Sequence, residues 1–309
     1  MKILKKLIVT TLTFGLLLTS SLAAFADPID ELWGTPFLAY GASLTESQLE
    51  EIHRIFGLEG LEEGRDFDAI YVDGNDLVYF LGRGNSNANM LSSVLIQHRE
   101  AGTGVEVSIL TPDYITRVTA TQYATAMITA GVTDALVEVA APTAVTGEAA
   151  LTGIYKAFSE RGVELDEDRM AVAQEQLEVI TSISNYHEDN EDFDSYVLDQ
   201  SVIEIQEELA DHYDETGEHA TVEEIRIIVI QVLENNNLDD ILTTDQVQRI
   251  SGFADNFQLT DAIHSEDFRN QLNNLADRVG SLVSDLNIDR GTLATWWDNI
   301  VNWFRNLFN

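Results

Sequence analysis

V-E-V-A-A-P-T-A-V-T-G-E-A-A-L-T-G-I-Y-K-A-F, Val137 to Phe158, is the stretch on which the fold turns. Ala135 to Ala140 is a short apolar run ahead of Pro142, which reads as a strand. Thr146 is a natural helix N-cap, and a helix is expected from there to about Glu160, stopped by Arg161-Gly162. Phosphate-binding loops of α/β proteins occupy this place between strand and helix. Such a loop needs a Lys for the phosphates and a Ser or Thr for magnesium, and neither follows Gly147. Glu148 follows instead, which complements the helix dipole and repels phosphate. We therefore read Pro142, Thr146 and Gly147 as a strand-to-helix joint, with a small ligand on the turn's N–H groups as the weaker alternative. Gly153 lies inside the helix, where it costs about 1 kcal/mol against Ala. It predicts close approach of another backbone or an aromatic ring.

Upstream, strands are expected at Phe37–Ala42, Phe67–Val72, Met90–Gln97 and Val105–Leu110. Gly102 to Gly104 reads as a hairpin turn joining the last two. Thr45 and Gln48 have the spacing of a capping box, ahead of the apolar stripe Leu49, Ile52, Ile55 and Phe56. A short helix is expected over Asp76–Leu81, then a polar Gly/Asn loop at Gly82–Asn87, then a helix at Thr121–Ala130 with Gly131 as C-cap. Strands alternating with helices imply a mixed α/β (α+β) domain over residues 27–162.

Past Val163 helical periodicity takes over. Helices are expected at Glu167–Ser184, Gln200–Tyr213, Val222–Asn235, Asp245–Asn256, Asp267–Leu286 and Leu293–Phe308, giving an all-α domain over 163–289. Thr221 and Glu224 form a capping box, and Ile225, Ile228, Val229, Val232 and Leu233 keep helical spacing. His187 to Asp194 reads as an acidic, solvated linker.

The N-terminus carries Lys2, Lys5 and Lys6, an apolar run from Leu7 to Leu22, and the small-x-small site Ala24-Phe25-Ala26. That is the pattern of a signal peptide over residues 1–26, cleaved after Ala26. The expected location is secreted or extracytoplasmic. There are no cysteines, which excludes disulfides, thiol nucleophiles and Cys-ligated metals. Formal net charge is −36. The leader holds three lysines and no acid, so the chain after Ala26 stands at −39. Such a surface repels nucleic acid and attracts cations diffusely.

Four segments carry a family resemblance. They are Gly41-Ala42-Ser43-Leu44-Thr45, Ser92-Ser93, Ile128-Thr129-Ala130-Gly131-Val132-Thr133-Asp134-Ala135, and Ala140-Ala141-Pro142 through Val145-Thr146-Gly147-Glu148-Ala149-Ala150-Leu151-Thr152-Gly153-Ile154. The chain resembles the YpuA-like family of secreted proteins of Gram-positive bacteria, densest from Phe37 to Ala157. The resemblance implies an extracytoplasmic, envelope-associated role and carries no catalytic residue.

Catalytic motifs are missing from the sequence. It holds no G-x-S-x-G, S-x-x-K or H-E-x-x-H, and no cofactor is expected. Gly82-Arg83-Gly84 starts like a dinucleotide fingerprint, but it lacks the third glycine and the helix that must follow. An EF-hand placed on Asn190 finds Ser195 where Gly is needed and Ser201 where Glu is needed. His212 and His219 are separated by Gly217, which argues against a metal pair on one helix.

The C-terminal segment 290–309 has the most distinctive pattern. Trp296, Trp297, Ile300, Val301, Trp303, Phe304, Leu307 and Phe308 fall on one helical face, opposite Asp298, Asn299, Asn302, Arg305 and Asn306. Arg290, Asp298 and Arg305 give this segment a charge of +1. It reads as an amphipathic helix that docks on the protein's own core, on a membrane interface or on a partner. The function expected is a non-enzymatic, cell-envelope-associated protein. The rival is a hydrolase acting on cell-wall polymer through paired carboxylates, and it predicts a cluster of acids with raised pKa in a cleft of the α/β domain.

Overall fold

The computed structural model describes residues 34–82, 84–147 and 150–285. The expected leader, Arg83, Glu148 and the aromatic segment 290–309 lie outside the described residues. The N-terminal half is an α/β unit of β1 (Phe37–Gly41), α1 (Glu46–Ile55), β2 (Asp68–Val72), α2 (Gly74–Leu81), β3 (Ser93–His98), β4 (Glu106–Ile109), α3 (Ala120–Thr129), β5 (Ala135–Ala140) and α4 (Ala150–Glu160). The helices that follow are α5 (Glu167–Tyr186), α6 (Ser195–Thr216), α7 (Val222–Asn235), α8 (Thr244–Gln258), a 3-10 turn (Asp261–His264) and α9 (Glu266–Asp285). This is the mixed α/β then helical architecture that the sequence implies.

The five strands form one sheet in the order β2-β1-β3-β5-β4. β2 and β4 run parallel to their neighbours, while β1–β3 and β3–β5 are antiparallel. The expected β3–β4 hairpin does not form: β5 lies between the two strands. Gly102 and Gly104 do adopt positive φ, and Thr103 N–H closes a turn on Glu100 O. But Gly104 N–H then donates to Asp134 Oδ1 at 2.8 Å, tying the chain to the start of β5. β5 carries buried Val137 and Val139 on one face, and its backbone satisfies both neighbours. β3 also begins at Ser93 rather than Met90.

Period-2 alternation sorts the side chains. Phe37, Ala39, Val94, Ile96, Val137 and Val139 face the main core with α4 and the helical half. Leu38, Tyr40, Leu95 and Ala140 face a smaller core closed by Ile52 and Phe56 of α1. The capping boxes at Thr45 and Thr221 both close.

α3 joins the sheet to the helices and is buried from Thr121 to Thr129. Thr129 of α3, Gln176 of α5 and Gln206 of α6 make a closed buried triad: Thr129 Oγ1 donates to Gln176 Oε1 at 2.7 Å and Gln206 Nε2 donates to Thr129 Oγ1 at 3.0 Å. Gln176 Nε2 completes it by donating to Gln206 Oε1 at 3.4 Å. Arg169 caps the end of α3 by donating to the carbonyls of Thr129 and Ile128. A fully satisfied buried network of this kind holds helices in one register.

The expected linker His187–Asp194 is more than a solvated stretch. His187 is buried, hydrogen-bonds Gln246 Oε1 at 3.1 Å and stacks on Phe193.

Candidate functional site

The signature residues turn out to be joints of the fold. Gly147 has φ of +88°, and its carbonyl accepts from the buried Tyr123 hydroxyl. Val145 N–H donates to Tyr114 O, and Ala150 N–H to Gly147 O. Two N–H groups near the turn are therefore engaged within the chain, as a structural joint requires. Pro142 is half-buried and Thr146 exposed. Gly153 does meet a close neighbour, but not a backbone or an aromatic ring. A Cβ there would lie 3.1 Å from Val94 and 3.4 Å from Ala39, so the glycine lets α4 settle on β1 and β3. In the other signature, Thr129 belongs to the buried triad, Gly131 adopts φ of +92°, and Asp134 adopts φ of +46° while receiving Gly104 N–H.

An apolar groove of about 720 Å³ lies between α7 and α8. Ile225, Ile230 and Leu233 of α7 face Val247 of α8, and Leu242 closes one end. On α8 the groove takes Thr244, Val247, Gln248, Ser251, Gly252 and Asp255, which is one helical face. Ser251 and Gly252 hollow it: a Cβ added at Gly252 would meet nothing within 4 Å. Arg226, Asp239 and Asp255 supply the charged rim. Val222 at its mouth is 75% exposed. The dimensions and lining suit an amphipathic helix laid by its apolar face.

Sequence reasoning missed this groove. The stripe Ile225, Ile228, Val229, Val232, Leu233 accounts for the buried face of α7, whereas Ile230 lies off it and is only half-buried. An apolar residue outside an already complete stripe was the available signal.

A second cavity, of about 310 Å³, lies between α6 and α9. Its acid wall comes from α6, where Glu204, Glu207, Glu208 and Asp211 follow helical spacing. Burial pushes the Glu208 carboxyl up to about 8 and Glu207 up to about 7, with the neighbouring acids adding to both. Asp199, also on α6, is pushed up to about 7 by burial, against the hydrogen bonds from Gln122 and Thr119. Thr119 Oγ1 and Gln122 Nε2 donate to its two oxygens at 2.8 and 3.0 Å, latching α3 to α6. The cluster of raised acids thus sits on the helical half; in the α/β unit burial raises Glu138 of β5, which is not part of the acid cluster that the hydrolase rival requires there. Among the described residues, no group of three or more His, Asp or Glu is placed to hold a metal ion. Nor is any described helix long and apolar enough to cross a membrane.

These three acids fix a pH dependence. Their folded-state values lie above the ordinary carboxylate range, so between about 4 and about 8 the folded chain holds protons the unfolded chain has lost. Their contribution is fully present below the ordinary value and is lost as pH rises through about 7 to 8, by at most about 1.4 kcal/mol per pH unit per group. Thermal denaturation should therefore show the melting temperature falling across this window, with the fall shallower in Asp199→Asn. A melting temperature that rises from pH about 5 to about 8 would contradict the assignment.

Fold and surface together define a mixed α/β unit sealed by a helical array that bears an apolar groove. A protein-family model described as Protein of unknown function (DUF1002) matches residues 40–275, and the chain belongs to that family. It is 32% identical over 153 residues to the uncharacterized protein YpuA of Bacillus subtilis (strain 168). The aligned part covers 48% of this chain and 50% of that relative, so the chain spans about half the length of the curated relative it matches. This agrees with the YpuA-like signatures read from the sequence. No solved structure matches.

Proposed function

We propose that this protein is a secreted, non-enzymatic component of the cell envelope that works by docking, and that its aromatic segment 290–309 is the docking element. The observation that carries the reading is the α7–α8 groove, an open apolar recess of about 720 Å³ on a strongly acidic chain. We assign the segment Trp296–Phe308 of this same chain as its occupant. Its apolar positions repeat at helical spacing, and the wider segment 290–309, at +1, complements the rest of the chain after Ala26, at −40. Twenty-four residues follow Asp285, enough for a short connection and a helix spanning the recess. Export rests on the leader Met1–Ala26.

Expression in a Gram-positive host with fractionation tests the export part. The processed chain should begin at Asp27 and appear in the wall or medium fraction. An unprocessed chain in the cytosol would refute it.

A second reading, hydrolysis of cell-wall polymer, draws support from the raised carboxyls of Glu207 and Glu208. Soluble fragments released from purified peptidoglycan, and lost in Glu208→Gln, would favour it.

A further inference from the structure

The cavity between α6 and α9 combines four acids with an apolar floor. Glu204, Glu207, Glu208 and Asp211 line it together with Ala210, Phe268 and Leu272. Glu204 and Arg269 already have partners. Glu204 accepts from Gln200 Nε2 at 2.9 Å and from Asn236 Nδ2 at 2.7 Å. Arg269, the one cation in its lining, is committed outward. It pairs with Asp214, donates to the carbonyls of Ala210 and Ile263, and reaches Asp211 only at 3.8 Å.

Glu207 and Glu208 are the exceptions, and Glu208 is the more deeply buried of the two. It is 7% exposed, lines the cavity, and has neither a hydrogen-bond nor an ion-pair partner among the described residues. Its charged neighbours are Glu204, Glu207, Asp211 and Glu215 on its own helix, with Asp277 of α9 facing Glu207. A buried carboxyl with no donor is unfavourable unless something brings it a proton or a cation.

We propose that this cavity is a binding site for a primary alkylammonium group, with the ammonium on Glu208 and the alkyl stem against Phe268 and Leu272. Three features select that chemistry. The acid wall calls for a cation, and Phe268 lines the cavity beside it. A bare ion would leave most of about 310 Å³ unfilled, and the described residues show no metal-ligand cluster. The apolar floor matches methylene groups, as lysine stems do on protein surfaces. A free amine and a lysine side chain of a polypeptide share this chemistry. The site is separate from the α7–α8 groove and does not depend on its occupant.

The test is calorimetric titration of the full processed chain with n-pentylamine, at about physiological ionic strength so that diffuse attraction to the acidic surface is screened. One amine should bind per chain. Because Glu208 is held protonated at neutral pH, binding there should release a proton, seen as heats that vary with buffer ionisation enthalpy. At pH about 10 the release should vanish. Glu208→Gln should weaken binding by roughly tenfold or more and abolish the proton release. n-Pentanol, the neutral analogue, should not bind.

Asn273→Trp provides a second variant, since Asn273 lines the cavity from a solvent-exposed position and the indole should block entry without disturbing the core. Nα-acetyl-lysine methylamide separates the two sources: tighter binding than pentylamine assigns the site to a polypeptide lysine, weaker binding to a free amine. Equal binding of pentanol, unchanged affinity in both variants, or no proton release at neutral pH would overturn the proposal.

Discussion

Gly147→Ala should destabilise the protein by about 3 kcal/mol, lowering the melting temperature by roughly 6–12 °C. Two effects add. At φ of +88° an L side chain is strained by about 1–2 kcal/mol. The new Cβ would also lie 2.7 Å from the Tyr123 hydroxyl and 2.8 Å from Ile115 Cγ2, inside a core with no room to give, for a further 1–3 kcal/mol or so. Tyr123→Phe separates the joint from its hydrogen bond. It removes the hydroxyl that donates to Gly147 O, yet that carbonyl keeps Ala150 N–H, so the loss should be only about 1 kcal/mol. Urea denaturation of both variants checks the ranking. Equal losses, or a Gly147→Ala chain as stable as wild type, would mean that the turn is not the rigid joint described here.

The outcome bears on how much of the protein was legible in its sequence. Five strands and their alternation with helices could be read directly, because period-2 and period-3.6 patterns are local. Strand order could not. β3 and β4 are consecutive and separated by two glycines, yet the buried β5 pairs with both. Which strand sits between which is settled by long-range backbone pairing and by contacts such as Asp134 to Gly104, and these leave no periodic trace. Helix ends were moved by caps. α6 was expected over Gln200–Tyr213 but runs from Ser195 to Thr216, because Asp194 caps it and Gly217 ends it in the left-handed region.

The candidate sites were less legible still. Glu204 and Glu208 are four residues apart on α6, flanked by Ile203, Ile205 and Leu209, so one helix face carries acids into the interior. In a chain with 53 acidic residues that spacing does not stand out. The opening turn was easier. The absence of Lys and the presence of Glu148 argued against phosphate, and the engaged Val145 and Ala150 amides agree.

The second large effect concerns the groove. Gly252→Arg should expel the aromatic segment from its seat while leaving the fold intact. The position is helical, its Cβ direction is open, and replacing a helical glycine gains up to about 1 kcal/mol. A long cationic side chain there fills the recess beside Val247 and repels a segment that carries +1. Gly252→Ala is the control: it should raise stability slightly and leave the groove open.

Tryptophan reports the result directly. The four tryptophans are Trp33, Trp296, Trp297 and Trp303, so Trp33→Phe leaves only those of segment 290–309. The decisive measurement is acrylamide quenching of that Trp33→Phe chain, with and without Gly252→Arg, before and after adding anionic vesicles. The account predicts blue-shifted, weakly quenched emission without vesicles. It predicts red-shifted emission quenched several-fold more strongly in Gly252→Arg, approaching that of the heat-denatured chain. Identical quenching in the two folded chains, or tryptophans that stay exposed until vesicles are added, would contradict it and assign the segment to the membrane instead.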